Sequence, residues 1–466
     1  MLESLDLPFV QRGIAEVALL SAGAGLIGTW VILRGLAFFS HAVGTAAFPG
    51  LVLADGLGFA APLGAFGAAI VFALALAGFP RARSGERGTE TALVLVGLLA
   101  LGVILASDVF GSSAAIESLL FGSLLLVDGG DLALAGGVSL AAVGAAMTLG
   151  PRWVATGFDA GTETAGRGRR RSDLALLVLV ALGTAASVGA VGSLLVASLF
   201  VVPAATTRPW CSRLSSWQAA SVALCAATGV AGVLISVELN SPPGATIAVL
   251  AGALFACSAT IGALRRSWPP RGPRTRWVGA ALVAIVALIA GGCGDDGNSG
   301  DEGTAEGAAE VVATTPVVAD IARNAAGSGA EVTGLLDPSI DPHEYEPRPD
   351  DIQALATADL VVAGGGDLDS WVEDAVEDSG SQAEILILAD SIPHPLTDDA
   401  GETDPHWWHD PRNASAAARA VAESLGTDAE AYVQRIEALD ARIASCFDYV
   451  PAEQRKIVTD HDAFGS

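Results

Sequence analysis

Three histidines stand in separate segments of the C-terminal half: His343 in D-P-S-I-D-P-H-E-Y-E-P, His406 in D-P-H-W-W-H-D-P, and His461 in V-T-D-H-D-A-F. Neutral imidazole is a preferred ligand of zinc, and three of them need one carboxylate to complete a tetrahedron. Prolines stiffen two of these segments, which favours side chains held ready for an ion. His409 lies three residues after His406 and is an alternative that could turn inward. His394, with Asp398 and Asp399, reads as a solvated loop. There is no H-E-x-x-H, so the arrangement lacks the helix-borne pair and adjacent base of a zinc hydrolase. Capture of an ion is the chemistry these residues suit.

The elements around them alternate. V-V-A-T-T-P-V-V opens as a strand and I-A-R-N-A-A is helical. E-V-T-G-L-L, D-L-V-V-A-G-G-G and E-I-L-I-L-A read as a second, third and fourth strand. Residues Pro411 to Asp448 read as one or two long helices, and R-K-I-V-T-D begins another strand. Such alternation predicts an α/β layer with a mostly parallel sheet. Ligands in these sheets lie beyond the carboxyl ends of the strands, which is where the three histidines fall.

This acidic, alternating half is unlike what precedes it. Of 51 acidic and 25 basic residues, 14 and 17 precede Cys293, while 37 and 8 follow it. The front is apolar and slightly basic, the back soluble and strongly acidic. So acidic a surface argues against a nucleic-acid partner, which would need Lys and Arg against phosphate, and the whole chain carries a net charge of -26. The cysteines (211, 225, 257, 293 and 446) include no C-x-x-C pair, so neither a zinc ribbon nor a redox motif is indicated.

Apolar runs recur from Ile14 to Leu264, and nine spans are expected: roughly 14–33, 42–58, 62–79, 91–106, 131–150, 172–187, 190–206, 215–236 and 244–264. A helix needs about 20 apolar residues to cross the hydrocarbon core. With nine spans and an outside N-terminus, the basic groups Arg81, Arg83, Arg87, Arg167, Arg169, Arg170, Arg171, Arg208, Arg213, Arg265 and Arg266 all fall on the cytoplasmic side. The opposite loops carry Asp108, Glu117, Asp128, Asp131 and Glu238, which is the positive-inside pattern. The segment from Pro151 to Asp173 is expected as the longest cytoplasmic loop, and reads equally as a plain basic loop holding topology or as an element that would receive the stroke of an ATPase. The chain has no G-x-x-x-x-G-K-[ST] loop, so any ATPase must be another chain. His41, in L-A-F-F-S-H-A-V-G, is the one histidine of this half, at a cytoplasmic helix start, and is a candidate for the metal path.

Between the halves, S-W-P-P-R-G-P-R-T-R-W and V-G-A-A-L-V-A-I-V-A-L-I-A-G-G-C follow the layout of a secretory signal placed internally. A-G-G-C resembles a bacterial lipobox and makes Cys293 a lipidation candidate; the other reading is a tenth membrane helix. Either way Cys293 emerges outside, followed by a polar, Gly-rich tether. The expected organisation is a membrane permease domain over 1–266, a signal-like or anchor segment over 267–293, an acidic linker over 294–309 and a metal-binding domain over 310–466.

Residues 10–264 resemble the zinc/manganese family of ABC-transporter permeases, on G-T-W-V-I-L-R-G with S-H-A, E-S-L-L-F-G-S-L, V-G-S-L-L-V-A-S-L-F-V-V-P-A-A-T and S-P-P-G-A-T. Ala37 stands where that family often carries an aspartate. Residues 294–466 resemble the zinc/manganese solute-binding lipoprotein family, on D-P-H-E-Y-E-P, D-P-H-W-W-H-D-P and H-D-A-F-G. The resemblance implies an all-α polytopic membrane bundle of about nine transmembrane helices, followed by an α/β periplasmic-binding-protein-like lobe with the second lobe missing. It implies His343, His406 and His461 as metal ligands, with His461 leaning towards zinc over manganese. It also implies a separate ATP-binding subunit, a permease homodimer and residence in the bacterial plasma membrane with the soluble part extracytoplasmic. Zinc or manganese is cargo, and no organic cofactor is expected. The rival functions are a metal-binding surface lipoprotein acting as sensor or adhesin without transport, and a membrane-anchored zinc hydrolase.

Overall fold

The computed structural model describes residues 7–78, 87–110, 124–158, 167–192, 196–267, 309–340, 342, 345, 347–394, 404–451 and 455. The chain divides into two compact units, Met1–Ser299 and Gly300–Ser466.

The first unit is helical: α1 (Pro8–Arg34), α2 (Ala37–Ala46), α3 (Phe48–Leu57), α4 (Ala61–Gly78), α5 (Arg87–Ile104), α6 (Gly129–Phe158), α7 (Arg167–Val191), the short α8 (Val196–Phe200) and α9 (Val202–Thr207), α10 (Leu214–Leu239) and α11 (Pro243–Ser267). Among the described residues, seven stretches are long and apolar enough to cross a membrane: Pro8–Arg34, Ala37–Ala54, Ala61–Gly78, Gly129–Ala155, Arg171–Gly189, Leu214–Leu239 and Pro243–Ala263. A shorter apolar helix covers Gly88–Ile104. The nine expected spans therefore differ in form. Seven are long helices, one is short, and the span expected at 190–206 is not one helix.

Packing direction recovers the missing passes. Helices α1 and α6 run side by side in the same direction: Gly23 N–H donates to Ser139 Oγ at 3.2 Å, and the Trp30 and Trp153 rings meet edge-on at 5.3 Å. Two helices that cross the membrane in the same sense need an odd number of passes between them. Besides Ala37–Ala54 and Ala61–Gly78, that requires α5 to cross. Helix α10 runs against α1, with Gly25 on Val222 and Gly229 on Val17, each pair too close to admit a Cβ. Opposed α6 and α10 need an even number of passes between them, so α8 and α9 must together return the chain after α7.

Contacts trace that return. The Leu199 carbonyl accepts from Cys225 Sγ at 3.5 Å, that of Ala204 from Trp217 Nε1 at 2.8 Å, and that of Thr206 from Ser258 Oγ at 2.9 Å. Helix α7 ends at Gly192, whose φ of +77° suits a residue without a side chain, and Pro203 opens α9. A broken helix is tolerated at membrane depth only where its freed carbonyls find donors, which Cys225, Trp217 and Ser258 supply.

The expected loop from Pro151 to Asp173 is mostly helix. Helix α6 continues through Pro151 to Phe158, and α7 begins at Arg167. Buried Trp153 holds the extension, its Nε1 donating to the Ser172 carbonyl at 3.0 Å, and Arg34 pairs with Asp173 at 2.9 Å.

The second unit is an α/β layer. Strands β1 (Ala309–Ala313), β2 (Ala330–Gly334), β3 (Leu360–Ala363) and β4 (Glu384–Ile387) form one sheet in the order β2-β1-β3-β4, all neighbours parallel. Helices α12 (Pro316–Ala326), α13 (Pro349–Thr357), α14 (Val372–Ser379), α15 (Pro411–Leu425) and α16 (Glu430–Asp448) complete it. Each of α12, α13 and α15 begins with proline at its first turn, where no backbone donor is lost. The core joins Val311, Ala313, Leu360 and Val362 of the sheet to Val318 and Ile321 of α12, Ala418 and Val421 of α15, and Trp407.

Candidate metal centre

The carboxyl ends of β1 and β3 are joined by one buried carboxylate. Asp369 Oδ2 accepts from Thr314 Oγ1 at 2.6 Å and from Gly364 N–H at 2.6 Å, while Oδ1 accepts from Gly365 N–H at 2.9 Å. Burial pushes its carboxyl above the usual range, and these donors pull the other way. The Gly364 carbonyl in turn accepts from Trp407 Nε1 at 3.0 Å. Trp407 is 1% exposed, so the D-P-H-W-W-H-D-P segment is bolted through its first tryptophan to the end of β3.

His406 precedes that bolt and is itself buried. Asp404 Oδ1 accepts from the His406 backbone N–H at 2.9 Å and lies 2.9 Å from its Nδ1. The Trp408 ring meets the imidazole edge-on at 5.4 Å. A carboxylate on one imidazole nitrogen fixes ring orientation and leaves the other as the ligating position. His409 is exposed, and partial burial, followed by the neighbouring His406, pushes its imidazole below the ordinary value. Asn413, fully buried, donates to the carbonyls of His394 at 3.0 Å and Trp407 at 3.3 Å. It thereby holds the backbone at His394 against the same segment, while the His394 side chain is exposed.

His343, His461 and Cys293 lie outside the described residues, as do Asp398 and Asp399. The structure thus places His406 alone of the three expected ligands. Among the described residues, no group of three or more His, Cys, Asp or Glu side chains is arranged to hold a metal ion. The segment that carries His343 is anchored next to it: the Tyr345 hydroxyl donates to Asp351 Oδ2, which also takes the Arg348 N–H at 2.6 Å, and the Tyr345 ring packs on Trp371 at 5.7 Å. Burial, and next the charge of Asp351, drive the Tyr345 hydroxyl far above its ordinary value. His41 lies in the membrane unit, half-buried on α2 beside buried Ser40.

Sequence reasoning missed Asp369, Trp407, Asn413 and Asp404. Only Asp404 left a local signal, since an Asp two residues before a backbone N–H is the spacing of an Asx turn.

Two family models match the chain. "ABC 3 transport family" covers residues 6–262, and "Zinc-uptake complex component A periplasmic" covers residues 311–466. The manganese-binding lipoprotein MntA of Halalkalibacterium halodurans is 30% identical over 39% of this chain and 64% of its own length. The zinc-binding protein TroA of Treponema pallidum is 32% identical over 35% of this chain and 58% of its own length. The chain thus spans less than two thirds of either binding protein. The manganese transport system membrane protein MntC of Halalkalibacterium halodurans is 26% identical over 59% of this chain and 96% of its own length. With more than half of its residues covered by one model, the chain belongs to the ABC 3 transport family.

Proposed function

We propose that this chain imports a divalent metal ion, zinc or manganese, as a permease joined to its own ion-capturing unit. The observation that carries this reading is the union in one polypeptide of a transport-family unit over 6–262 and a unit matching a zinc-uptake component over 311–466. His343, His406 and His461 would be the ligands. The preparation of His406 by Asp404 and Trp407 supports a binding role for its segment. His461 favours zinc; His409 is an accessory, and His41 is a candidate for the metal path. The domains are taken as 1–266, 267–293, 294–309 and 310–466, with Cys293 lipidated and the last domain on the extracytoplasmic face.

A separate ATP-binding subunit drives the conformational change, acting on a permease homodimer through the α6–α7 connection. Arg34, Trp153, Ser172 and Asp173 tie the ends of α1, α6 and α7 together there. No covalent chemistry is involved, and selectivity comes from ligand type and geometry.

The test is uptake of radioactive zinc and manganese by cells lacking other importers. Expression of the chain with its ATP-binding partner should restore uptake, and His406→Ala should reduce it. Uptake equal with and without the gene would end this reading.

A further inference from the structure

Asn413 stands in the first turn of α15, yet its side chain plays no part in that helix. Asp410 already caps α15, and the Asn413 amide bonds outward. Its Oδ1 accepts from the His394 N–H at 3.2 Å. Its Nδ2 donates to the His394 carbonyl at 3.0 Å and to the Trp407 carbonyl at 3.3 Å. Both amide hydrogens and the oxygen are thus engaged. One side chain takes the N–H and the C=O of the same residue, as a neighbouring strand would. Asn413 is fully buried, so water does not compete for these bonds.

These bonds act on the backbone next to His406. Trp407 follows it directly and is held at both ends. Its indole donates to the Gly364 carbonyl at 3.0 Å, and its own carbonyl takes Asn413 Nδ2 and the Asp410 N–H, each at 3.3 Å. On the other side of His406, Asp404 takes the backbone N–H and lies against Nδ1. The two grips divide the task. Asp404 orients the ring, and Asn413 fixes the chain that carries it. An imidazole serves as a ligand only where its remaining nitrogen is held in place, and a loose backbone spreads that position however well the ring is oriented.

We propose that Asn413 is a positioning residue for metal capture: by joining Trp407 to His394 it fixes the backbone behind His406 before an ion arrives. The inference rests on the reading of His406 as a ligand given above. The role is specific to an amide. Aspartate has the same shape, but it would turn two donors into acceptors facing the carbonyls of His394 and Trp407.

The test uses the full chain in lipid nanodiscs, stripped of metal, with the zinc ion alone as probe and affinity read by competition with a chelating dye. Asn413→Asp should weaken zinc binding about tenfold, as loss of support behind a ligand does elsewhere. Asp404→Ala should then cost less in the Asn413→Asp background than in the parent, because a ring oriented on a loosened backbone no longer delivers a placed nitrogen. Equal losses in the two backgrounds would make the residues independent and overturn the inference, as would parental affinity in a folded Asn413→Asp variant. Asn413→Ser, which keeps one donor and adds no charge, takes its place if the aspartate variant fails to fold by chromatography. A second measurement needs no variant. In the metal-free parent, hydrogen exchange should already be slow in peptides covering 388–394 and 404–410, and protection that appears only with zinc overturns the inference. His406→Ala separates the two claims. Zinc affinity unchanged by it, or a parent that binds no zinc, ends the ligand reading and the positioning role together. Affinity lost in His406→Ala but kept in Asn413→Asp ends the positioning role alone.

Discussion

Asp404 Oδ1 lies 2.9 Å from Nδ1 of His406, and the same oxygen accepts the His406 backbone N–H at the same distance. One carboxylate therefore sets both the backbone and the ring of this residue. Asp404→Ala should lower the metal affinity of the full chain by about 10–100-fold, the usual effect of deleting a carboxylate behind a ligating imidazole. Titration calorimetry with zinc checks this. Unchanged affinity would show that ring orientation is set elsewhere.

Asp369 holds three donors at a site only 2% exposed. Asp369→Ala strands the Thr314 hydroxyl and the amides of Gly364 and Gly365, at a cost of about 1–3 kcal/mol for each buried group left unmet. Hydrogen exchange should accelerate in peptides covering 360–369, and through the Gly364–Trp407 bond in those covering 404–410. Acceleration confined to the first segment would break the proposed link between β3 and the His406 segment.

Asp410 caps α15, accepting from Arg412 N–H at 2.8 Å and from the Arg412 guanidinium at 2.7 Å. The Arg412 hydrogen bond is the largest cause holding its carboxyl below the ordinary 3.8. A depressed folded-state value means the unfolded chain binds the proton more readily. The stabilisation is thus full above the ordinary aspartate range and lost as pH falls through the lower folded value. Asp410→Ala should cost about 0.5–2 kcal/mol near neutral pH, mostly from the cap. Arg412 is 61% exposed, so the ion pair adds little through water. Hydrogen exchange over 411–425 should differ between parent and variant at neutral pH and converge in acid, below the ordinary aspartate range. A gap that persists in acid would assign the effect to packing.

Ser139 inserts its hydroxyl into the ladder of α1, accepting from Gly23 N–H and donating to the Leu19 carbonyl at 2.6 Å. Such insertion is a recognised cause of helix bending. Ser139→Ala lets the two backbone groups rejoin, so its thermal midpoint in detergent should stay close to the parent's. Ser139→Val keeps a wedge without a hydroxyl and should lose about 1 kcal/mol. Equal midpoints for the two variants would mean the hydroxyl carries no part of the α1–α6 contact.

Much of the fold was legible because its signals are local. The strands expected at V-V-A-T-T-P-V-V, E-V-T-G-L-L, D-L-V-V-A-G-G-G and E-I-L-I-L-A all form, and residues 411–448 form two helices broken at Gly426. Apolar runs implied nine passes and arginine placement agreed with them, and the parity set by the packing directions of α1, α6 and α10 fits that number. The site was less legible. The histidine motifs marked the segment that Trp407 fixes, yet Trp407 itself reads in sequence as one more aromatic beside a histidine.

By itself, then, the sequence determined the apolar spans, their alternation across the bilayer and the parallel α/β layer of the C-terminal half. These follow from periodicity and charge within short windows, where each residue's neighbours in the chain are also its neighbours in space. Tertiary structure alone decided that the seventh pass is broken, that Trp407 is core, that Asp369 joins two strand ends, and that Glu16 is buried with no donor to its Oε2 among the described residues. Each of these depends on how a buried polar group is satisfied or left wanting, and its partner comes from a segment far along the chain that no local pattern can name.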